Sequence, residues 1–100
     1  MMIRIVKLTI QPDFVERFLD HFNKVSMDIR SFSGCNKLEL LADINSPGVL
    51  FTYSYWDNEE ALIQYQQSEL FRSTWAVVKP LFAAKAEAWS MERIKEIELI

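Results

Sequence analysis

The sequence contains one cysteine, one histidine and two glycines, and each scarcity excludes a class of protein. Cys35 has no partner with which to form an internal disulfide, so the chain is not a disulfide scaffold. Two glycines are too few for a phosphate-cradling loop. A single histidine and a single cysteine do not supply a zinc or transition-metal ligand set. We therefore expect neither a metal nor a cofactor.

The charge balance and the short apolar runs exclude two further classes of partner. The net charge is -3, the isoelectric point is near 5.1, and no run of Lys or Arg supplies the basic stripe that nucleic-acid binding needs. The apolar stretches are far shorter than the roughly 20 residues that span a bilayer. The first residues do not resemble a signal peptide. We expect a cytoplasmic protein that binds neither nucleic acid nor membrane.

Apolar and aromatic side chains are abundant. Half of the 100 residues are hydrophobic, and 13 are Phe, Trp or Tyr. A chain of this length forms one domain with a thin core, whereas each aromatic side chain buries roughly 150–250 Å². We therefore expect residues 1–100 to form a single domain whose surplus apolar side chains line a pocket and also contact a partner chain.

The residue pattern predicts four strands, at residues 2–10, 35–43, 49–56 and 85–91. An amphipathic helix opens at Pro12 and Asp13 and carries an apolar stripe. A second helix is predicted in two pieces, one capped by Asp57 and Asn58 and the other starting at Ser68. The order β-α-β-β-α-β is that of the ferredoxin-like unit, an α+β fold with a four-stranded antiparallel sheet.

Helices on one side of such a sheet leave its other face bare and apolar, and an uncovered apolar face marks an interface. We therefore expect a homodimer in which two sheets pack face to face. Residues 92–100 carry the aliphatic residues Ile94, Ile97, Leu99 and Ile100. Free ends are usually polar, so we expect this tail to be ordered and to cross to the partner chain.

The third strand and the helices after it carry a recognisable pattern. It comprises Leu50-Phe51-Thr52-Tyr53-Ser54-Tyr55-Trp56, Glu59-Glu60-Ala61-Leu62, Tyr65 and Ser68-Glu69-Leu70-Phe71, with Phe32-Ser33-Gly34-Cys35 before the second strand. The pattern, together with the first and last strands, resembles the antibiotic biosynthesis monooxygenase family over nearly the whole chain. The resemblance implies a dimeric α+β barrel with a pocket between sheet and helices. Family activities include cofactor-free oxygenation of phenols and quinols, haem degradation and an isomerisation, and some members have no known activity.

The chain departs from the family pattern where that pattern carries chemistry. Many members have a histidine nine residues after the strand-ending Trp, where this chain has Tyr65, and quinol-oxidising relatives have another in place of Leu70. Haem-degrading relatives use an Asn in the first strand, a Trp at the position of Tyr65 and a His at that of Trp75. All three are missing here, so we expect no haem partner.

Two residues are candidates for catalysis. His21 borders the apolar stripe of the first helix, and histidine readily exchanges a proton near neutral pH. It is either a base at the pocket edge or a helix-flank residue half in water. Tyr65 either donates a hydrogen bond to a substrate oxygen or packs against Trp56. Sequence alone leaves both pairs of alternatives open.

Four further residues are candidates for substrate binding. Trp56, Phe71 and Trp75 would form aromatic walls, although the helical spacing of Trp75 also suits core packing. Arg72 would hold an anionic or enolic oxygen at the pocket mouth, or else lie on a solvated helix face.

Two functions fit these residues. The first is a cofactor-independent monooxygenase that acts on a small electron-rich aromatic molecule such as a phenol, a quinol or a polyketide-like compound. The second is a non-catalytic, small-molecule-binding or stress-associated dimer that keeps the fold without the family histidines. The missing histidines favour the second function, and the retained aromatic residues favour the first. Of the two, we expect the first.

Overall fold

The computed structural model describes residues 1–100 and contains one antiparallel sheet of four strands. The strands are β1 (Met2–Thr9), β2 (Cys35–Asp43), β3 (Ser46–Trp56) and β4 (Glu87–Glu92). They lie in the order β2-β3-β1-β4, and every neighbouring pair is antiparallel. The predicted ferredoxin-like α+β fold is confirmed.

Three α-helices and two 3₁₀ turns complete the chain. They are a 3₁₀ turn at Pro12–Phe14, α1 (Val15–Arg30), α2 (Glu59–Gln66), α3 (Glu69–Val78) and a 3₁₀ turn at Lys79–Leu81. None of the helices is long and apolar enough to cross a membrane.

The caps of α2 and α3 are those that the sequence predicts. The side chain of Asn58 accepts a hydrogen bond from the Ala61 N–H at 2.9 Å, and Ser68 Oγ accepts one from the Phe71 N–H at 3.1 Å. Each cap satisfies one of the free N–H groups at a helix start. Pro80 lies in the 3₁₀ turn after α3, where it stops the helix.

Some predicted strand bounds were wrong. β3 begins at Ser46 rather than at residue 49, because the hairpin turn is tight and Ser46 already pairs with Asp43. The carboxylate of Asp43 stabilises this turn by accepting the Asn45 N–H at 2.8 Å. β1 ends at Thr9 instead of residue 10, and β4 begins at Glu87 rather than at residue 85.

The hydrophobic core lies between the sheet and α1 and α3. Its fully buried members are Leu8, Ile10, Phe18, Leu50, Val78 and Leu81. A second buried group, Cys35, Trp56 and Leu62, lies where the end of β3 meets α2. The helices therefore cover one face of the sheet, the face that carries Leu8 and Leu50.

A glycine allows the loop before β2 to approach α2. Gly34 has a φ of +88°, and a Cβ at this position would lie 2.5 Å from Cβ of Ala61. The Gly34 carbonyl accepts the Asp57 N–H at 2.9 Å. This close contact holds the start of β2 against the segment that joins β3 to α2.

The opposite face of the sheet is uncovered in the single chain. Strand alternation places on it Ile3, Ile5, Phe51, Tyr53, Tyr55, Trp89 and Met91. Trp89 is 41 % exposed and Met91 46 %. The tail beyond β4 has no regular secondary structure, and Ile94 in it is 98 % exposed.

Candidate functional site

A cavity of about 100 Å³ lies between the helix-covered face of the sheet and the helices α1 and α3. Of its 17 lining residues, 12 are hydrophobic. The five polar ones are Arg4, His21, Thr52, Ser54 and Thr74. A mostly apolar cavity with a few polar groups is the usual form of a small-molecule site.

Five of the six candidate residues from the sequence line this cavity: Tyr65, His21, Trp56, Phe71 and Trp75. Arg72 does not. It is exposed, its Nη1 donates to the Gln67 carbonyl at 2.7 Å, and its Nη2 lies 3.3 Å from Glu69 Oε2. The solvated alternative for Arg72 therefore matches its position, and Arg72 is not part of the candidate site.

His21 is held in the wall of the cavity by α1. Phe18 and Val25, one turn away on either side, line the same cavity. The Nε2 atom of His21 is buried and has no hydrogen-bond partner. A buried polar atom without a partner lowers the stability of the fold unless a ligand or a water satisfies it. Because His21 also lines the cavity, a bound molecule that reaches this nitrogen would satisfy it.

Thr74 of α3 also has a buried polar atom without a hydrogen-bond partner. Its Oγ1 and the Nε2 of His21 are the only buried side-chain nitrogen or oxygen atoms in the chain that lack a hydrogen bond. Both residues line the cavity. Sequence reasoning missed Thr74, although a hydroxyl three residues after Phe71 and four before Val78 is conspicuous on an apolar stripe. Two helices thus each supply the cavity lining with a residue whose buried polar atom is unsatisfied.

Tyr65 reaches the cavity from α2 and packs among aromatic rings. Its ring stacks on Trp56 at 5.0 Å and contacts Phe32 and Phe71 edge-on at 5.4 and 5.2 Å. Burial, with a smaller contribution from Cys35, raises the pKa of Tyr65 to about 12. The phenol is therefore protonated near neutral pH and can donate a hydrogen bond, but it is not a base.

Trp56 forms a rigid wall of the cavity. It is only 1 % exposed, and its Nε1 donates to Ser54 Oγ at 3.0 Å. The aromatic wall continues through Phe71, which stacks on Trp75 at 5.7 Å with the planes 10° apart. The indole hydrogen bond fixes the plane of Trp56, so the position of this wall is set in advance of binding.

Arg4 is a further lining residue that sequence reasoning missed. It lies on β1 in the row of Val6 and Leu8, which faces the helices. Its Nη1 donates to Ser90 Oγ at 2.9 Å. Burial lowers the pKa of Arg4 from its ordinary value, yet a guanidinium stays charged in proteins. The signal in the sequence was a charge in an otherwise apolar row.

No group of three or more His, Cys, Asp or Glu side chains comes together to hold a metal ion. Cys35 is buried, and burial raises the pKa of its thiol. A protonated, buried thiol is a poor nucleophile.

The fold is similar to that of several known structures. A crystal structure of an antibiotic biosynthesis monooxygenase superposes with a TM-score of 0.89 at 18 % identity, over 95 % of this chain and 100 % of that one. For a conserved protein from Methanosarcina mazei Go1 the TM-score is 0.87 at 19 % identity, over 93 % of both chains. For a Deinococcus radiodurans protein it is 0.88 at 17 % identity, over 100 % and 99 %. At these identities the likeness shows a common fold.

The sequence itself matches the family described as antibiotic biosynthesis monooxygenase, over residues 1–76. No curated protein matches the sequence at a significant level. The matched segment holds β1, α1, β2, β3 and α2, and it contains every lining residue of the cavity except Val78. Because the match covers 76 of the 100 residues, the chain belongs to the antibiotic biosynthesis monooxygenase family.

Proposed function

We propose that this protein is a monooxygenase that oxidises a small, electron-rich aromatic molecule inside the cavity. The observation that carries the proposal is the buried Nε2 of His21, which has no partner and lies in an apolar, aromatic wall. A histidine base in an apolar cavity can remove a proton from a bound phenol or quinol. Membership of the family supports the reaction class.

The volume of the cavity limits the size of the substrate that it can hold. Sites for drug-sized ligands usually measure roughly 300–1,000 Å³, whereas this cavity measures about 100 Å³. A single aromatic ring suits that volume better than a polycyclic polyketide. We therefore propose a one-ring phenol or quinol as the substrate.

The reaction needs only the substrate and dioxygen. His21 takes a proton from a quinol, and the quinolate gives one electron to dioxygen. The two radicals then join through a bond between a ring carbon and oxygen, and the resulting peroxide takes a proton from His21. Loss of water, with the hydrogen of that ring carbon, leaves a hydroxyquinone. The overall change is quinol plus O₂ to hydroxyquinone plus H₂O, so the substrate is the reductant and no cofactor is required.

Two other cavity residues would assist this step. The protonated phenol of Tyr65 and the unpartnered hydroxyl of Thr74 can donate to the oxygen on which negative charge develops. Fixed donors in a site that excludes water stabilise such charge more than water does. The rings of Trp56 and Phe71, which stack on Tyr65 and Trp75 respectively, would hold the substrate ring and keep water out.

A non-catalytic binding protein is the second candidate, and one observation favours it. The positions at which related proteins carry histidines hold Tyr65 and Leu70. With a pKa of about 12, Tyr65 does not replace a histidine as a base. In this alternative the same cavity binds an aromatic molecule without turnover.

We also propose that the protein is a homodimer formed through the open face of the sheet. Trp89 and Met91 on that face are 41 % and 46 % exposed, and Ile94 in the tail is 98 % exposed. Burying apolar surface of this kind is favourable, by roughly 25 cal/mol per Å². In a two-fold symmetric dimer, the open face of one chain would pack against the same face of a second copy.

An oxygen-electrode assay with hydroquinones tests the proposed oxidation. We expect uptake of one O₂ per quinol, and a fall of roughly 100-fold or more in His21→Gln. Asn23→Ala, on the exposed side of α1, is the matched control and should keep full activity. Binding of the quinol without oxygen uptake would favour the binding protein, and uptake unaffected by His21→Gln would exclude His21 as the base.

A further inference from the structure

Arg4 is the only permanently charged side chain in the lining of the cavity. We propose that Arg4 recognises a carboxylate on the ligand, so that the substrate class is a one-ring aromatic acid. This proposal rests on the proposed function, because it names the substrate class for the same cavity.

The guanidinium of Arg4 has spare hydrogen-bonding capacity. It carries five N–H donors, and the side chain donates one hydrogen bond, from Nη1 to Ser90 Oγ at 2.9 Å. The three ion pairs in the chain are formed by Lys7, Lys37 and Arg72, and none involves Arg4. A carboxylate is the group that the planar fork of a guanidinium fits best, through two parallel hydrogen bonds.

Lys7, on the same strand as Arg4, differs from it in having an ion-pair partner. Lys7 lies on the open face, directly across from Glu87 of β4, and the two form an ion pair at 3.7 Å. Arg4 lies directly across from Ser54 on β3 and Ser90 on β4, which cannot neutralise it. The sheet thus pairs the cation of its open face with a carboxylate and leaves the cavity cation without one.

The remaining lining of the cavity also favours an anion. The chain has 14 Asp and Glu residues and a net charge of -3, yet none of the 17 lining residues is acidic. An anion that enters the cavity therefore meets Arg4 and no opposing carboxylate. A cationic ligand would instead meet an uncompensated like charge.

The position of Arg4 suggests how an aromatic acid would lie. Ser90, which accepts a hydrogen bond from the guanidinium, is exposed, so the charged end of Arg4 is in contact with solvent. A carboxylate at Arg4 would keep part of its hydration, while the ring would enter the aromatic interior beside Trp56 and Tyr65. This orientation directs the ring, and not the charge, towards the apolar wall.

The test is a titration under anaerobic conditions with 2,5-dihydroxybenzoate and its neutral amide, 2,5-dihydroxybenzamide, followed by the indole N–H signals in NMR spectra. Trp56 and Trp75 line the cavity and should shift, whereas Trp89 on the open face is an internal control. We expect the acid to bind roughly tenfold more tightly than the amide, or better. Arg4→Gln should abolish this preference, Arg4→Lys should keep part of it, and Arg72→Gln, which alters an exposed arginine outside the cavity, should keep all of it.

Equal affinity for acid and amide in the wild type would overturn the proposal and leave the proposed oxidation intact. A preference for the acid that survives in Arg4→Gln would also overturn it. If Arg4→Gln does not fold, Arg4→Lys decides, because loss of the guanidinium fork should still reduce the preference. A preference for the acid without oxygen uptake would support this proposal and contradict the oxidation. Failure of both ligands to shift Trp56 and Trp75 would contradict both.

Discussion

The rings of Trp56 and Tyr65 stack with their centroids 5.0 Å apart and their planes at 26°. Trp56 ends β3, Tyr65 lies in the last turn of α2, and both line the cavity. The ring of Tyr65 therefore belongs to the packing at this end of the sheet, while its hydroxyl is the part available to a ligand. The two roles can be separated by mutation.

Tyr65→Phe should reduce activity and leave the fold nearly intact, because it removes only the hydroxyl. We expect a loss of about 1–3 kcal/mol of transition-state stabilisation, measured as kcat/KM in the oxygen-uptake assay. Tyr65→Ala removes the stacked ring and should lower the free energy of unfolding by about 3–5 kcal/mol. Full activity in Tyr65→Phe would show that the hydroxyl takes no part in the reaction.

The stability of the protein should decline above pH 10. The pKa of Tyr65 is about 12 in the folded chain and about 10 in an unfolded one, so the unfolded state loses its proton first. The contribution of Tyr65 to the free energy of unfolding is therefore fully present below pH 10. It is lost as the pH rises towards 12, and the free energy of unfolding falls by at most about 1.4 kcal/mol per pH unit. Urea unfolding between pH 9 and 12 should show this slope reduced in Tyr65→Phe and retained in Tyr55→Phe. Parallel profiles for all three proteins would show that the Tyr65 phenol is not buried.

Removal of residues 94–100 should weaken the dimer and lower the melting temperature together. The tail exposes Ile94, Ile97, Leu99 and Ile100 in the single chain, and a partner would bury them. Sedimentation of the full chain at micromolar concentration should give twice its mass of 11.8 kDa. Lys95→Gln, which keeps the aliphatic residues, is the control. A monomeric full chain would contradict the dimer, and an unchanged melting temperature after truncation would show that the tail makes no stabilising contact.

Haem should not be degraded. Tyr65 and Trp75 stand where haem-degrading relatives carry other residues, β1 contains no Asn, and the cavity of about 100 Å³ is small for a macrocycle. Haemin added with ascorbate should keep its Soret band. Loss of that band with release of iron would contradict the comparison of residues on which this expectation rests.

The sequence by itself determined the elements and their order, because the signals for them are local. Asn58 and Ser68 cap the two short helices, and Pro80 stops the second of them. These signals act between residues a few positions apart, so they can be read without a fold. The hairpin was less predictable, since Ser46 joins β3 through its pairing with Asp43 across the turn.

The tertiary structure decided which of these residues form the site. Strand alternation places Arg4 with Val6 and Leu8, but only the packing of α1 and α3 decides that this row faces the cavity. The burial of His21 Nε2 and Thr74 Oγ1 likewise depends on two helices that are distant in sequence and meet over one sheet. Arg72 follows the lining residue Phe71 directly, and the rotation of about 100° per residue in α3 turns it away from the cavity. Burial and convergence arise from contacts between distant parts of the chain, and a linear pattern does not contain them.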